Sequence, residues 1–184
     1  MIEGKLVNLR AREMSDVERM TRWINDREVT RFMGGRYPWS REAEEAFVRT
    51  TTSVPMAFAD LRFAIETKDG AHIGGCGLHR ASPENRDAEL GIMIGEKAFW
   101  SKGYGSDTVA TLVRFAFEEM NLNRVELHVY DFNVRAQASY RKCGFVEEGR
   151  MRDAHFTEGR FHDVVAMSVL RDEWLSTDFT DSHR

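Results

Sequence analysis

Cysteine and proline are scarce, with two and three in 184 residues. Two thiols, Cys76 and Cys143, cannot build the disulfide framework of a small secreted scaffold, so a reducing compartment, the cytoplasm, is expected. Three prolines and 14 glycines exclude collagen-like and proline-rich disordered chains. No apolar run approaches the roughly 18 residues that a membrane helix needs, so no membrane partner is expected. The opening Met1-Ile2-Glu3-Gly4-Lys5 has no apolar signal-peptide core. An excess of basic charge is missing too. Lys and Arg number 26 against 30 Asp and Glu, a net charge of −4, which argues against nucleic acid as a partner. The remaining composition, 42% hydrophobic and 30% charged, is that of an ordinary globular domain. No repeat, linker or composition break interrupts the chain from Lys5 to Trp174. One domain over 1–175 is expected, followed by a polar tail over 176–184.

Periodicity supplies the elements. Leu6, Leu9 and the neighbouring Val7 mark a first strand ending near Glu13. Ser15 and Glu18 read as a capping box, followed by Val17, Met20, Trp23 and Ile24 at helical spacing. Gly34 to Trp39 is a loop carrying two aromatics, Tyr37 and Trp39, and Ser40 opens a second helix. Leu61, Phe63 and Ile65 alternate as a half-buried strand does, and Asp69-Gly70 turns the chain back into a strand over 72–78. Leu90, Ile92 and Ile94 share one face of the next strand. After Lys102 comes the longest helix, with an apolar stripe through Val109, Leu112, Val113, Ala116, Phe117 and Met120. A strand over 124–130, a helix over 133–142 stopped by Gly144, and strands over 145–150 and 161–170 complete the order, the last two flanking a loop through Glu158-Gly159. The class is α/β, a mixed central sheet of about six or seven strands with helices on both faces.

The chemistry concentrates in two places. A buried strand, Glu89-Leu90-Gly91-Ile92-Met93-Ile94, leads through Trp100-Ser101-Lys102-Gly103-Tyr104-Gly105-Ser106 into the long helix. Backbone N–H groups at a positive helix start suit phosphate, and Gly103 and Gly105 leave no Cβ in the way. A plain strand-to-helix turn reads the same from this loop alone. The dinucleotide fingerprint fails, because Thr108 stands where a third glycine is needed, and the P-loop fails for want of a lysine after Gly105. Downstream, Asn133 opens a helix and Tyr140 follows two turns later on the same side. Taken singly, Asn133 reads better as an N-cap and Tyr140 as core.

Together these segments resemble the GNAT superfamily of acyl-CoA-dependent N-acetyltransferases. The likeness rests on Trp100 to Gly105, on Asn133-Val134-Arg135-Ala136-Gln137-Ala138-Ser139-Tyr140, and on Arg141-Lys142-Cys143-Gly144-Phe145. Val29-Thr30-Arg31-Phe32-Met33 and Leu170-Arg171-Asp172-Glu173-Trp174 place it near the ribosomal-protein alanine and spermidine acetyltransferases. The resemblance implies the GNAT fold and acetyl-CoA as cosubstrate. It implies that Ile92, Met93 and Ile94 pair with the pantetheine arm and that Trp100, Ser101, Lys102, Gly103, Tyr104, Gly105 and Ser106 cradle the pyrophosphate. Asn133 then hydrogen-bonds pantetheine and Tyr140 stands beside the coenzyme sulfur.

The reaction explains the residue types. Attack of an amine on a thioester expels a thiolate, and a phenol nearby can protonate it: reference pKa values are about 8.5 for a thiol and about 10 for a phenol. The incoming ammonium must lose a proton, and Glu89 is the candidate acceptor, although a salt-bridged strand residue would look the same. Glu126 and His128 on the next strand are weaker candidates. The expected function is acetyl transfer to a primary amine, a small molecule or a peptide N-terminus, entering beside Tyr37 and Trp39. A non-catalytic acyl-CoA-binding regulatory module is the alternative, and it has no need of Tyr140. A homodimer through exposed strand edges is expected from the resemblance. No metal is expected: His72 and Cys76 share a strand face, His79 points away, and no fourth ligand is near.

Overall fold

The computed structural model describes residues 1–52 and 58–176, without the side chains of Thr51, Thr52 and Ser176. The tail expected from Ser176 onward lies outside this range except for Ser176 itself, which ends a helix. Eight strands form one sheet in the order β1-β2-β3-β4-β5-β6-β8-β7. They are β1 (Ile2–Glu3), β2 (Val7–Ala11), β3 (Asp60–Thr67), β4 (His72–Ser82), β5 (Asp87–Ile94), β6 (Arg124–Tyr130), β7 (Val146–Thr157) and β8 (Arg160–Leu170). Six α-helices accompany them: α1 (Val17–Ile24), α2 (Arg27–Thr30), α3 (Arg41–Thr52), α4 (Tyr104–Glu118), α5 (Val134–Lys142) and α6 (Arg171–Ser176). This is the mixed α/β sheet expected, with a slightly higher strand count. The additional strand is the two-residue β1, paired with β2 through Ile2↔Leu9.

Two cores sit on opposite faces of the sheet. Leu112, Val113, Ala116 and Phe117 of α4 join Leu9, Ile65, Leu78, Leu90 and Val165 in the larger core. Val17, Met20 and Trp23 of α1 join Val29 and Val48 in the smaller one, with Met93 packed on it. Alternation along β5 explains the division: Ile92 and Ile94 pack on the α4 side and Met93 on the other.

Three details differ from the sequence reading. The capping box ahead of α1 is built by Glu13 and Asp16 around a single 3₁₀ turn, not by Ser15 and Glu18. Asp16, 1% exposed, accepts from the Glu13 N–H at 2.9 Å and from both terminal nitrogens of Arg10 at 2.8 Å. That buried pair fixes which carboxylate caps. The strand expected to end at Arg150 runs on to Thr157, and the turn shrinks to Glu158-Gly159. Both turn residues have positive φ, 51° and 79°, as a tight hairpin requires.

Candidate active site

Among the described residues, strands β5 and β6 are the only parallel neighbours in the sheet, and their pairing stops early. It covers Asp87↔Arg124, Ala88↔Val125 and Glu89↔Glu126, and goes no further. On its other side β5 stays paired with β4 as far as Gly74↔Ile94. Backbone groups of Leu90 to Ile94 on the β6 side therefore have no strand to pair with. The divergence opens a cleft of about 610 Å³, a size suited to a small ligand.

The expected residues gather there. Glu89, Ile92, Met93, Ile94, Trp100, Ser101, Gly103, Gly105, Ser106, Asn133 and Tyr140 all line the cleft. Lys102 and Tyr104 do not. Lys102 is exposed, and the Tyr104 ring packs edge-on against Phe99 at 5.1 Å.

The floor of the cleft is the start of α4. Gly103 caps this helix with φ of 89° and no side-chain hydrogen bond to the first turn, so the leading N–H groups are free of intrahelical partners. Asp107, the acidic residue of that turn, is turned away. Its carboxylate accepts from the N–H groups of Lys5, Leu6 and Val7 at 3.1, 2.7 and 3.0 Å. The positive helix end consequently faces the cleft with its nearest carboxylate already engaged. At the rim, Trp100 donates its indole N–H to the Ile94 carbonyl at 2.7 Å. The Arg135 guanidinium lies over that indole at 4.5 Å and makes no ion pair among the described residues.

Helix α5 forms the opposite wall. Asn133 caps it, its side-chain oxygen accepting from the Ala136 N–H at 3.2 Å. The capping reading therefore holds, and it leaves the amide NH₂ as a donor. Tyr140 sits two turns on, half-buried, with no hydrogen bond to its hydroxyl among the described residues. Burial pushes its phenol up to about 12, with Cys143 adding to the effect. Burial lifts the Cys143 thiol, one turn along, to about 12 as well.

Glu89 is engaged rather than free. Arg80 donates to one carboxylate oxygen, and His128 Nδ1 lies 3.2 Å from the other. The carboxylate partner assigns the proton to Nδ1 and leaves Nε2 as an acceptor. His128 also lines the cleft, so the weaker sequence candidate and the stronger one form a pair. Glu126 is bound to Arg124 at 3.0 Å and lies outside the cleft lining. Of the discounted trio, His72 donates to the Gly74 carbonyl at 2.9 Å, Cys76 is buried, and His79 meets Asp60 at 2.5 Å.

A second cavity, about 240 Å³, lies on the other side of β5 and shares Met33, Gly91, Ile92 and Met93 with the cleft. Trp39 lines it, its backbone clamped on both sides by the Asn25 amide at 2.9 Å. Tyr37 is 80% exposed and does not line it.

Known proteins share this fold. A crystal structure of spermidine N-acetyltransferase from Vibrio cholerae, in complex with CoA and spermine, matches with a TM-score of 0.83 at 28% identity, covering 93% of this chain and 99% of that one. Among curated sequences, spermidine N(1)-acetyltransferase of Vibrio cholerae is 28% identical over 173 residues, 92% of this chain and 96% of its own. YdaF of Bacillus subtilis, provisionally named a ribosomal N-acetyltransferase, is 39% identical over 106 residues, 58% of this chain and 57% of its own. Fold and cleft together define a transferase that takes its acyl group from a coenzyme A thioester. The acetyltransferase (GNAT) domain matches residues 7–146, and the chain belongs to that family. It is an acetyl-CoA-dependent N-acetyltransferase, moving an acetyl group to an amine nitrogen.

Proposed function

We propose that the coenzyme lies in the cleft between β5 and β6, and that a small primary amine reaches it from the second cavity through the shared wall at Gly91, Ile92 and Met93. The unpaired edge of β5 carries this reading. It offers backbone donors and acceptors to an extended amide chain as an added strand would take them. The free N–H groups at the start of α4 take the diphosphate, and Arg135, held on Trp100, supplies a charge at the mouth. The Asn133 NH₂ donates to a carbonyl of the pantetheine arm. Bound acetyl-CoA supplies an activated thioester.

Tyr140 then acts as hydrogen-bond donor at the sulfur. With its phenol near 12 it holds its proton throughout the neutral range. That value would make transfer to a thiolate of ordinary pKa uphill by about 1.4 kcal/mol per unit. The mismatch narrows where the coenzyme sulfur is buried beside the ring, because burial disfavours the thiolate as it disfavours the phenolate. The acceptor's proton goes to the pair formed by His128 and Glu89, with Nε2 of His128 receiving it and Glu89 orienting the ring.

The relatives named for spermidine support a small-molecule amine as acceptor. Two free, buried thiols suit the cytoplasm. No helix among the described residues is long and apolar enough to cross a membrane. We assign the expected homodimer to β7, the long edge strand of the sheet. The site reading is tested by thermal shift with coenzyme A against ATP, followed by release of coenzyme A thiol from acetyl-CoA with a panel of amines. Stabilisation by coenzyme A alone and amine-dependent thiol release are expected; stabilisation by ATP instead overturns the cleft assignment.

A further inference from the structure

The second cavity carries charges that a polyamine site has no use for. Arg12 and Arg62 both line it, and Glu44 is the one carboxylate among its lining residues. Both guanidiniums lean on the Phe47 ring, at 5.9 and 5.1 Å. Glycine makes room for them and for His79. A Cβ on Gly75 would stand 3.0 Å from an Arg12 terminal nitrogen, and one on Gly91 would stand 3.1 Å from His79 Nε2. Arg62 is answered by Asp60 at 2.8 Å. Arg12 has no carboxylate within ion-pair reach among the described residues and makes one long bond, 3.4 Å, to the Phe63 carbonyl. Burial, with Arg62 alongside, pulls its pKa below the ordinary value. Glu44 is 3% exposed, and its carboxylate has no hydrogen bond or ion pair among the described residues. Burial pushes its carboxyl up, and Arg12 pulls it back.

An unpaired guanidinium and an unpaired carboxylate in one small cavity are costly unless a ligand completes them. Resting on the acetyl-transfer reading above, we infer that the acceptor is a small amine that also bears a carboxylate. Arg12, with Arg62 beside it, receives the carboxylate, and Glu44 receives the ammonium as it enters. The planar guanidinium fork suits a carboxylate bidentately. A second ammonium in place of the carboxylate would face two arginines, which is repulsive and selects against polyamines.

Matched acceptors test this. Lysine differs from cadaverine, and ornithine from putrescine, by the carboxylate alone, and alanine differs from alaninamide by its charge. Each is titrated calorimetrically into the coenzyme A-loaded protein and assayed for thiol release, with spermidine alongside. The carboxylate-bearing member of each pair should bind about tenfold or more tightly, in keeping with a charge-assisted pair. Arg12→Gln should erase the preference and leave the coenzyme A affinity unchanged. Arg12→Lys should restore part of it, and Arg62→Gln should weaken it independently, which guards against a folding defect in the first variant. Spermidine or a diamine binding as tightly as its partner overturns the inference, as does no binding by any carboxylate-bearing amine, or an equal loss for both members in Arg12→Gln. A carboxylate preference in binding without thiol release from any amine supports this assignment and counts against the transfer reading alone.

Discussion

Gly105→Ala should raise the stability of the protein and lower its affinity for coenzyme A. Gly105 is the second residue of α4. A Cβ built there meets only the Ile94 Cγ1, at 3.9 Å, an ordinary contact, so the methyl group adds no strain. Alanine is favoured over glycine by about 0.8–1 kcal/mol inside a helix, and about half of that is expected in the first turn. For a chain of this size the gain corresponds to a rise of about 1–2 °C in Tm. Binding moves the other way, because the methyl group occupies the space beside Ile94 in front of the free N–H groups. Losing one hydrogen bond to a charged oxygen costs about 1.5–3 kcal/mol, or roughly 10- to 100-fold in Kd. Gly103→Ala is the informative control. Its φ is 89° and its Cβ would press the Leu6 Cδ1 at 3.3 Å. A left-handed alanine costs about 1–2 kcal/mol, so Tm should fall by about 2–8 °C. The same substitution two residues apart thus has opposite effects on melting. Calorimetric titration with coenzyme A and a melt followed by circular dichroism measure both. Unchanged coenzyme A affinity in Gly105→Ala would refute the placement of the diphosphate.

What could be read from the sequence was what local spacing determines. Asn133 and Tyr140 fall on one side of α5 because seven residues make two turns, and both were found facing the cleft. The alternation of Leu90, Ile92 and Ile94 placed β5 because one of its faces is buried in the α4 core. Features decided by distant partners stayed hidden. Strand β1 is two residues long and carries no pattern of its own. The turn that follows it is pinned by Asp107, about a hundred residues downstream. Ser15 and Glu18 satisfy the capping-box spacing, but Arg10 on β2 pulls Asp16 into that role. The stop in β5–β6 pairing leaves no mark in composition, since Leu90 to Ile94 look like any buried strand. Arg12, Glu44 and Gly75 come from three separate segments, and only the folded sheet brings them into one cavity.

Trp39→Ala should raise the KM for the acceptor more than that for acetyl-CoA, since the ring lines the second cavity alone; equal changes would point to packing. Asp16→Asn should cost about 3 kcal/mol in urea unfolding at neutral pH, because it leaves Arg10 short of its buried partner. Arg10 and His72 hold the Asp16 carboxyl well below the usual range, so its contribution is present above the unfolded pKa of about 3.9 and is lost as pH falls below it. The variant should accordingly lose less stability than the wild type on acidification. His128→Gln should lower kcat, and Glu89→Gln should lower it less, as expected of a positioning partner; an unchanged kcat in His128→Gln removes the pair from the reaction. Tyr140→Phe keeps the ring and its tilted contact with Phe145 at 5.9 Å, and deletes only the donor at the sulfur. General acid assistance is typically worth about 10²–10⁴-fold, and kcat should fall within that range while the acetyl-CoA Kd barely moves. The raised phenol, near 12, gives a second readout. A group whose folded pKa exceeds its unfolded value of about 10 contributes stability below pH 10 that is lost as pH climbs toward 12. Wild-type stability should therefore decline across that window more steeply than that of Tyr140→Phe, whether or not the hydroxyl takes part in catalysis. The two measurements separate the roles: an alkaline stability difference with full kcat across the pH range would leave Tyr140 as a packing residue of α5, and loss of kcat with the coenzyme affinity intact would place its proton at the departing sulfur.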